Sequence, residues 1–299
     1  MHPSTISTKE TQFADKLTAA GRKYSIVGTT DMPDGYKITS IRPDTLTYFY
    51  PTETEKKDIC LHFTVGYIMS DIPALTNPTS HVSVSYVVDR SGRIYELFPD
   101  KYWSYHLGSG TVGGNATMSK RSIGIEISNY GPLTMNNGKL IDAYGNTYCS
   151  ESETDLYDKY EYRGKKYYAS MTQEQVGATA ALVKYLCTTH NIPLNFKGDD
   201  EPFASADESL SFNGIFYHTN VRKDKFDWPF SPSLTAVIEA CKEPEPEPAP
   251  EPIPEPEHIP EPVAEKVTEK PAVVETSRPS KANWLARLFE TLANLFKKH

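Results

Sequence analysis

The chain has 299 residues and a formal net charge of −8, with a pI near 5.5. That length supports one domain of about 200 residues plus extras. The acidity argues against a nucleic-acid partner, which a basic face would signal. The charge is uneven: residues 243–275 hold ten Glu against two Lys, 276–299 hold five Lys/Arg against one Glu, and 1–242 are left with −4.

In chain order, "MHPSTISTKETQFADKL" has no apolar h-region, so no signal peptide is expected. No run of eighteen apolar residues occurs, so no membrane span is expected either. Residues 1–50 give weak signals and read as an N-terminal extension of unclear role. "DICLHFTV" (58–65) reads as a buried strand, and "VSVSYVVDRSGRIYEL" (82–97) as a hairpin turning at "DRSG". "RSIGIEISN" (121–129) is another β-branched run. The Tyr-, Asn- and Gly-rich stretch 131–170 reads as a long inserted loop. "MTQEQVGATAALVKYLCTTHNIP" (171–193) predicts a helix that starts at a Thr172/Gln175 capping box and stops at "NIP". "SPSLTAVIEAC" (231–241) predicts a closing helix. Strands interleaved with helices predict an α/β domain over 51–242, a mixed central sheet flanked by helices.

Residues 243–280, with proline at nearly every second position, predict an extended linker. Residues 281–299 follow it. Trp284, Leu285, Leu288, Phe289, Leu292, Leu295 and Phe296 recur there at helical spacing, which predicts an amphipathic helix. Its apolar stripe and positive charge suit a membrane surface or a protein partner. Cys60, Cys149, Cys187 and Cys241 are widely scattered with no CxxC spacing, so free thiols are expected.

Some polar residues sit in unusual settings. His62 lies inside a strand, and Glu126 lies between isoleucines. His218, Lys225 and Asp227 crowd into "YHTNVRKDKFDWP". Two neutral imidazoles and a carboxylate form a donor set for catalytic zinc. A second carboxylate then serves as general base, and a lysine as oxyanion stabiliser. The residues alone leave other readings open: a strand histidine satisfied by a core neighbour, a surface loop at 218–227, and Asp224 in place of Asp227. Cys60 shares the strand face of His62 and reads as a buried thiol. His81 reads as a loop residue and His190 as a helix-end residue.

"LHFTVG", "VSYVVDRSGRIYELF", "YHLGSG", "SIGIEISN", "MTQEQVGATAALVKYL" and "YHTNVRKDKFDWP" fall in one order. In that order they resemble the zinc-dependent N-acetylmuramoyl-L-alanine amidases, the family of phage amidase endolysins whose fold peptidoglycan-recognition proteins share. The resemblance covers about residues 56–241. It implies Zn²⁺ held by His62, His218 and Asp227, with Glu126 and Lys225 catalytic. It also implies a peptidoglycan groove at His106, the counterpart of the histidine in a "WHAG"-like motif, with Tyr105 and Thr64 beside it. The sequence departs from the family at Phe63, where a second His is frequent, at Tyr105 for Trp, and at Ser85 for a frequent His. The implied activity is hydrolysis of the bond between N-acetylmuramic acid and L-alanine. The implied setting is a phage or prophage lysin, made in the host cytoplasm and later released to the wall, or carried outside the cell on a virion. The alternative is a non-catalytic peptidoglycan-binding or virion structural protein of the same fold.

Overall fold

The computed structural model describes residues 1–19 and 23–242. The Pro/Glu-rich linker and amphipathic helix expected at 243–299 lie outside the described residues. The N-terminal stretch forms helix α1 (Pro3–Thr18) and a hairpin of β1 (Tyr24–Asp31) and β2 (Lys37–Pro43). Next come β3 (Asp58–Phe63), α2 (Ile68–Leu75), and the short hairpin β4 (Tyr86–Val88) and β5 (Ile94–Glu96). Helix α3 (Asn115–Arg121) leads into β6 (Ser122–Ile127). Then follow β7 (Pro132–Asn136), β8 (Lys139–Ile141), β9 (Thr147–Ser150), β10 (Tyr157–Tyr162) and β11 (Lys165–Ala169). The chain continues with α4 (Gln173–His190), α5 (Ala206–Ser211), β12 (Gly214–Tyr217), α6 (His218–Val221) and α7 (Pro232–Lys242).

A seven-stranded mixed sheet runs β1-β2-β5-β4-β6-β3-β12, the α/β architecture expected from the sequence. Its centre is parallel: β3 pairs with β6 on one side and β12 on the other. Every residue of β3 is buried, as the sequence predicts for that strand. Ile59, Leu61, Ile123, Ile125 and Ile127 face α4 and α7 in the main core. Each such side chain contributes roughly 1.5–3 kcal/mol of burial. Helix α4 starts where the sequence places it. The Thr172 hydroxyl accepts from the Gln175 amide at 3.0 Å, and the Gln175 side chain accepts from the Thr172 amide at 3.3 Å. It ends at Asn191 in the left-handed region (φ 53°).

One expectation changes. Residues 131–170 are not a loop but a second, five-stranded sheet, β10-β11-β7-β8-β9. Two of its turns, Asn137-Gly138 and Arg163-Gly164, carry positive φ at both residues, the geometry that two-residue hairpins demand. Residues 1–50, read as an extension of unclear role, lie in the same compact unit as 51–242, and β1 and β2 extend the central sheet. Helix α1 buries Ile6, Glu10, Phe13 and Leu17 along one face.

Glu10 makes that attachment sensitive to pH. Its Oε1 accepts from the Arg90 amide at 3.0 Å, and its Oε2 is buried with no partner among the described residues. Burial, with Asp89 next, pushes its pKa up from 4.5 to about 7. A carboxyl with a raised folded pKa releases its proton later when folded than when unfolded. Its penalty therefore grows as pH rises from about 4.5 and is complete above about 7, reaching roughly 3 kcal/mol. Glu10→Gln is expected to stabilise the protein at pH 8 and to change little at pH 4. Denaturant midpoints at the two pH values check this, and an equal effect at both would refute it.

Candidate active site

The parallel centre of the sheet lines up the candidate residues. His62 pairs in register with Glu126 on β6, and Leu61 pairs with Tyr217 on β12, so His218 follows level with His62. All three stand at the carboxyl ends of adjacent parallel strands, where open α/β sheets hold their ligands. Asp227 is brought in by two anchors. The Trp228 Nε1–H donates to the His62 carbonyl at 3.0 Å, and the Thr219 amide donates to the Asp227 carbonyl at 2.9 Å.

The donor atoms meet in a triangle. His62 Nδ1 lies 2.9 Å from His218 Nδ1 and 3.2 Å from Asp227 Oδ2, and His218 Nδ1 lies 3.0 Å from the same oxygen. These edges are close to the roughly 3.3 Å that separates tetrahedral ligands about 2 Å from an ion. His218 Nε2 donates to the Leu107 carbonyl at 2.9 Å, so in the neutral ring Nδ1 is a bare lone pair aimed at a carboxylate. A cation satisfies that arrangement, and the His62, His218 and Asp227 set fits a divalent metal.

The electrostatics agree. Burial, with the His218 charge next, pushes the His62 pKa down to about 4, which keeps the imidazole neutral. Burial works to raise Asp227, but the neighbouring His218, and after it His62, outweigh burial and hold the carboxyl well below its usual range. Cys60, His62 and His106 also bring donor atoms within 4.8 Å of one another. Burial, followed by the charge of Asp227, pushes the Cys60 thiol well up.

A cavity of about 540 Å³ opens over the triangle. Thr64, His106, Glu126, His218, Lys225 and Asp227 line it, and the second sheet adds Pro132, Thr134 and Lys165 as a wall. Glu126 carries a buried Oε2 with no partner among the described residues. Burial, then Asp227 and Asp71, push its pKa well up, while Lys225 opposes them. Such a group can take and return a proton.

Of the three expected groove residues, Thr64 and His106 line the cavity. Tyr105 does not line the cavity; it packs edge-on against Trp103 and Tyr50, with centroids 5.2 and 5.8 Å away. The Thr64 hydroxyl donates to Asp71 Oδ2 at 2.9 Å, so towards the cavity it can only accept. His106 borders the cavity with both ring nitrogens engaged inside the protein, Nδ1 with His62 at 2.9 Å and Nε2 with Ser122 at 3.0 Å. Asp224 pairs with Arg222, and Asp227 is the carboxylate in the triangle. His81 stacks on Tyr50 at 4.3 Å, and His190 pairs with Asp100 at 3.0 Å. All four cysteines are free. Lys165 and the Leu107 carbonyl carry no local sequence signal and emerge only from the fold.

Among curated proteins none matches this chain. Solved structures resemble it at low identity. An AmpD structure is 16% identical, covering 67% of this chain and 92% of that one, with a TM-score of 0.41. The amidase LysC from Clostridium intestinale is 13% identical, covering 68% and 97%, with a TM-score of 0.37. AmiD from E. coli, solved with anhydro-N-acetylmuramic acid-L-Ala-D-gamma-Glu-L-Lys, is 21% identical, covering 55% and 53%, with a TM-score of 0.33. The family model described as N-acetylmuramoyl-L-alanine amidase (Amidase_2) matches residues 53–227. That span is more than half the chain and runs from the strand that carries His62 through to Asp227, and on it the protein belongs to the N-acetylmuramoyl-L-alanine amidase family.

Proposed function

We propose that this protein hydrolyses peptidoglycan at the amide between the lactyl group of N-acetylmuramic acid and L-alanine, using zinc held by His62, His218 and Asp227. The observation that carries this reading is the convergence of two imidazole nitrogens and a carboxylate oxygen beside the unpartnered Glu126 at a cavity floor. Zinc bound there supplies Lewis acidity to the attacking water and to the scissile carbonyl.

The chain's own groups do the rest. Glu126 accepts the proton of the water as its oxygen bonds to the carbonyl carbon. It then returns that proton to the amide nitrogen as the C–N bond breaks. Lys225, on the cavity wall, places a positive charge where the carbonyl oxygen becomes negative. Lys165 on β11 adds a second cationic group on the same wall, which suits the carboxylates of a stem peptide. Phe63 and Phe226 border the cavity and limit water.

Mass spectrometry of digested peptidoglycan tests the reading. The expected products are stem peptides with a free L-alanine amine and glycan strands that keep the muramic lactyl carboxylate. Cut glycan bonds, cut peptide cross-links or no product would overturn it, and the last result favours the rival, a non-catalytic wall-binding module of the same fold. Lys225→Ala is expected to lower kcat by about 10²-fold with KM within a few-fold. Steady-state kinetics on soluble muropeptides check this, and a rise in KM at constant kcat would make Lys225 a binding residue only.

A further inference from the structure

The hydrogen bonds around the ligand triangle run one way, because each chain of donors ends on a carbonyl. The Met118 carbonyl can only accept, and the Ser122 hydroxyl spends its single proton on it at 2.6 Å. Ser122 Oγ then accepts from His106 Nε2 at 3.0 Å, so the neutral His106 ring keeps a bare Nδ1. That Nδ1 accepts from His62 Nε2 at 2.9 Å, and the neutral His62 ring is left with its own bare Nδ1 in the triangle. The neighbouring residue does the same for the other ligand, since the Leu107 carbonyl accepts from His218 Nε2 at 2.9 Å. Two consecutive residues therefore fix both imidazoles.

We propose that His106 is a positioning residue: with Ser122 and the Met118 carbonyl it fixes His62 as the Nε2–H tautomer, so that a bare Nδ1 meets the metal. This rests on the zinc reading above and replaces the substrate contact that the family resemblance implies for His106. The surrounding residues make room for it. A Cβ on Gly124 would come within 2.7 Å of Val84 Cγ1 and 3.2 Å of the His106 ring, so the glycine of "SIGIEIS" leaves room for both over β6. The His106 amide donates to Ser119 Oγ at 3.3 Å, and Leu107 is fully buried, which anchors the segment. Partners of this kind are worth about 10- to 100-fold in metal affinity.

Two measurements on the full chain test it. In the zinc-loaded wild type, ¹⁵N NMR is expected to show His62 protonated at Nε2, with a ¹⁵N–¹⁵N coupling across the hydrogen bond to His106 Nδ1. Zinc competition against a chromogenic chelator is expected to show about 10- to 100-fold weaker binding for His106→Leu. His106→Asn, whose side-chain oxygen can stand where Nδ1 stood, is expected to stay within a few-fold of wild type. A His62 Nε2 without a proton would overturn the proposal and point instead to the trio of Cys60, His62 and His106. Wild-type affinity in a folded His106→Leu would also overturn it. If His106→Leu does not fold, the wild-type spectrum decides alone. A wild type that binds no zinc refutes the zinc reading itself. Zinc that is lost in His218→Ala and held normally in His106→Leu refutes only the relay.

Discussion

Purified His218→Ala protein is expected to contain no zinc, against one zinc per wild-type chain, and to lose all measurable amidase activity. His218 supplies one corner of the triangle, and its removal leaves His62 and Asp227, too few protein ligands for a catalytic zinc site. A stability readout accompanies the metal analysis. Without a cation, a buried carboxylate faces imidazole lone pairs at 3.0 and 3.2 Å, so metal binding stabilises the folded wild type. Chelation should lower the wild-type Tm and leave the variant's Tm unmoved. Asp227→Ala should behave in the same way. Equal zinc in wild type and His218→Ala would remove His218 from the site, and a chelator-insensitive wild type would remove the metal from the fold's energetics.

Much of this site is written locally. A six-residue strand buried on both faces has few ways to accommodate a histidine or a glutamate, so His62 and Glu126 stand out against their isoleucine and leucine neighbours. The capping box at Thr172 and the left-handed Asn191 bound α4 by rules that act within four residues. The second sheet was legible in principle. Asn137-Gly138 is a strong hairpin signal, and "YDKYEYRGKKYYA" alternates around Arg163-Gly164. Its strands escape a hydrophobic scan because tyrosine supplies their buried face: Tyr148, Tyr157 and Tyr168 are buried there, and Tyr130 and Tyr148 pack together in the same cluster. Residues 1–50 hide their role for another reason. Strand β1 is an edge with mostly exposed side chains, so its membership of the sheet rests on backbone pairing with β2 rather than on apolar alternation. The role of His106 has no local signature, because its partners lie 16 and 44 residues away in the chain. Likewise His106 lines the cavity while the adjacent Tyr105 packs on Trp103 and Tyr50, a difference that a motif match cannot resolve.

Glu126→Gln is expected to keep a full complement of zinc and lose at least about 10²-fold in kcat, with KM within a few-fold of wild type. Ile125 and Ile127 on either side are fully buried in the core and hold the backbone of β6, so residue 126 stays at the cavity whichever side chain it carries. Glutamine keeps the shape and an acceptor oxygen. What it cannot do is take a proton from water and hand it to the departing amine, and both half-reactions need that transfer. The unpartnered Oε2 and the upward push that burial gives the Glu126 pKa are the features a proton carrier needs and a structural carboxylate avoids. Glu126→Asp separates reach from chemistry. It retains the proton acceptor but withdraws it by one methylene, so its kcat should fall between wild type and Gln. Zinc content, kcat and KM measured together on the two variants decide the matter. Near-normal turnover in a zinc-loaded Glu126→Gln would make the carboxylate structural, and loss of zinc along with activity would move Glu126 into the metal site.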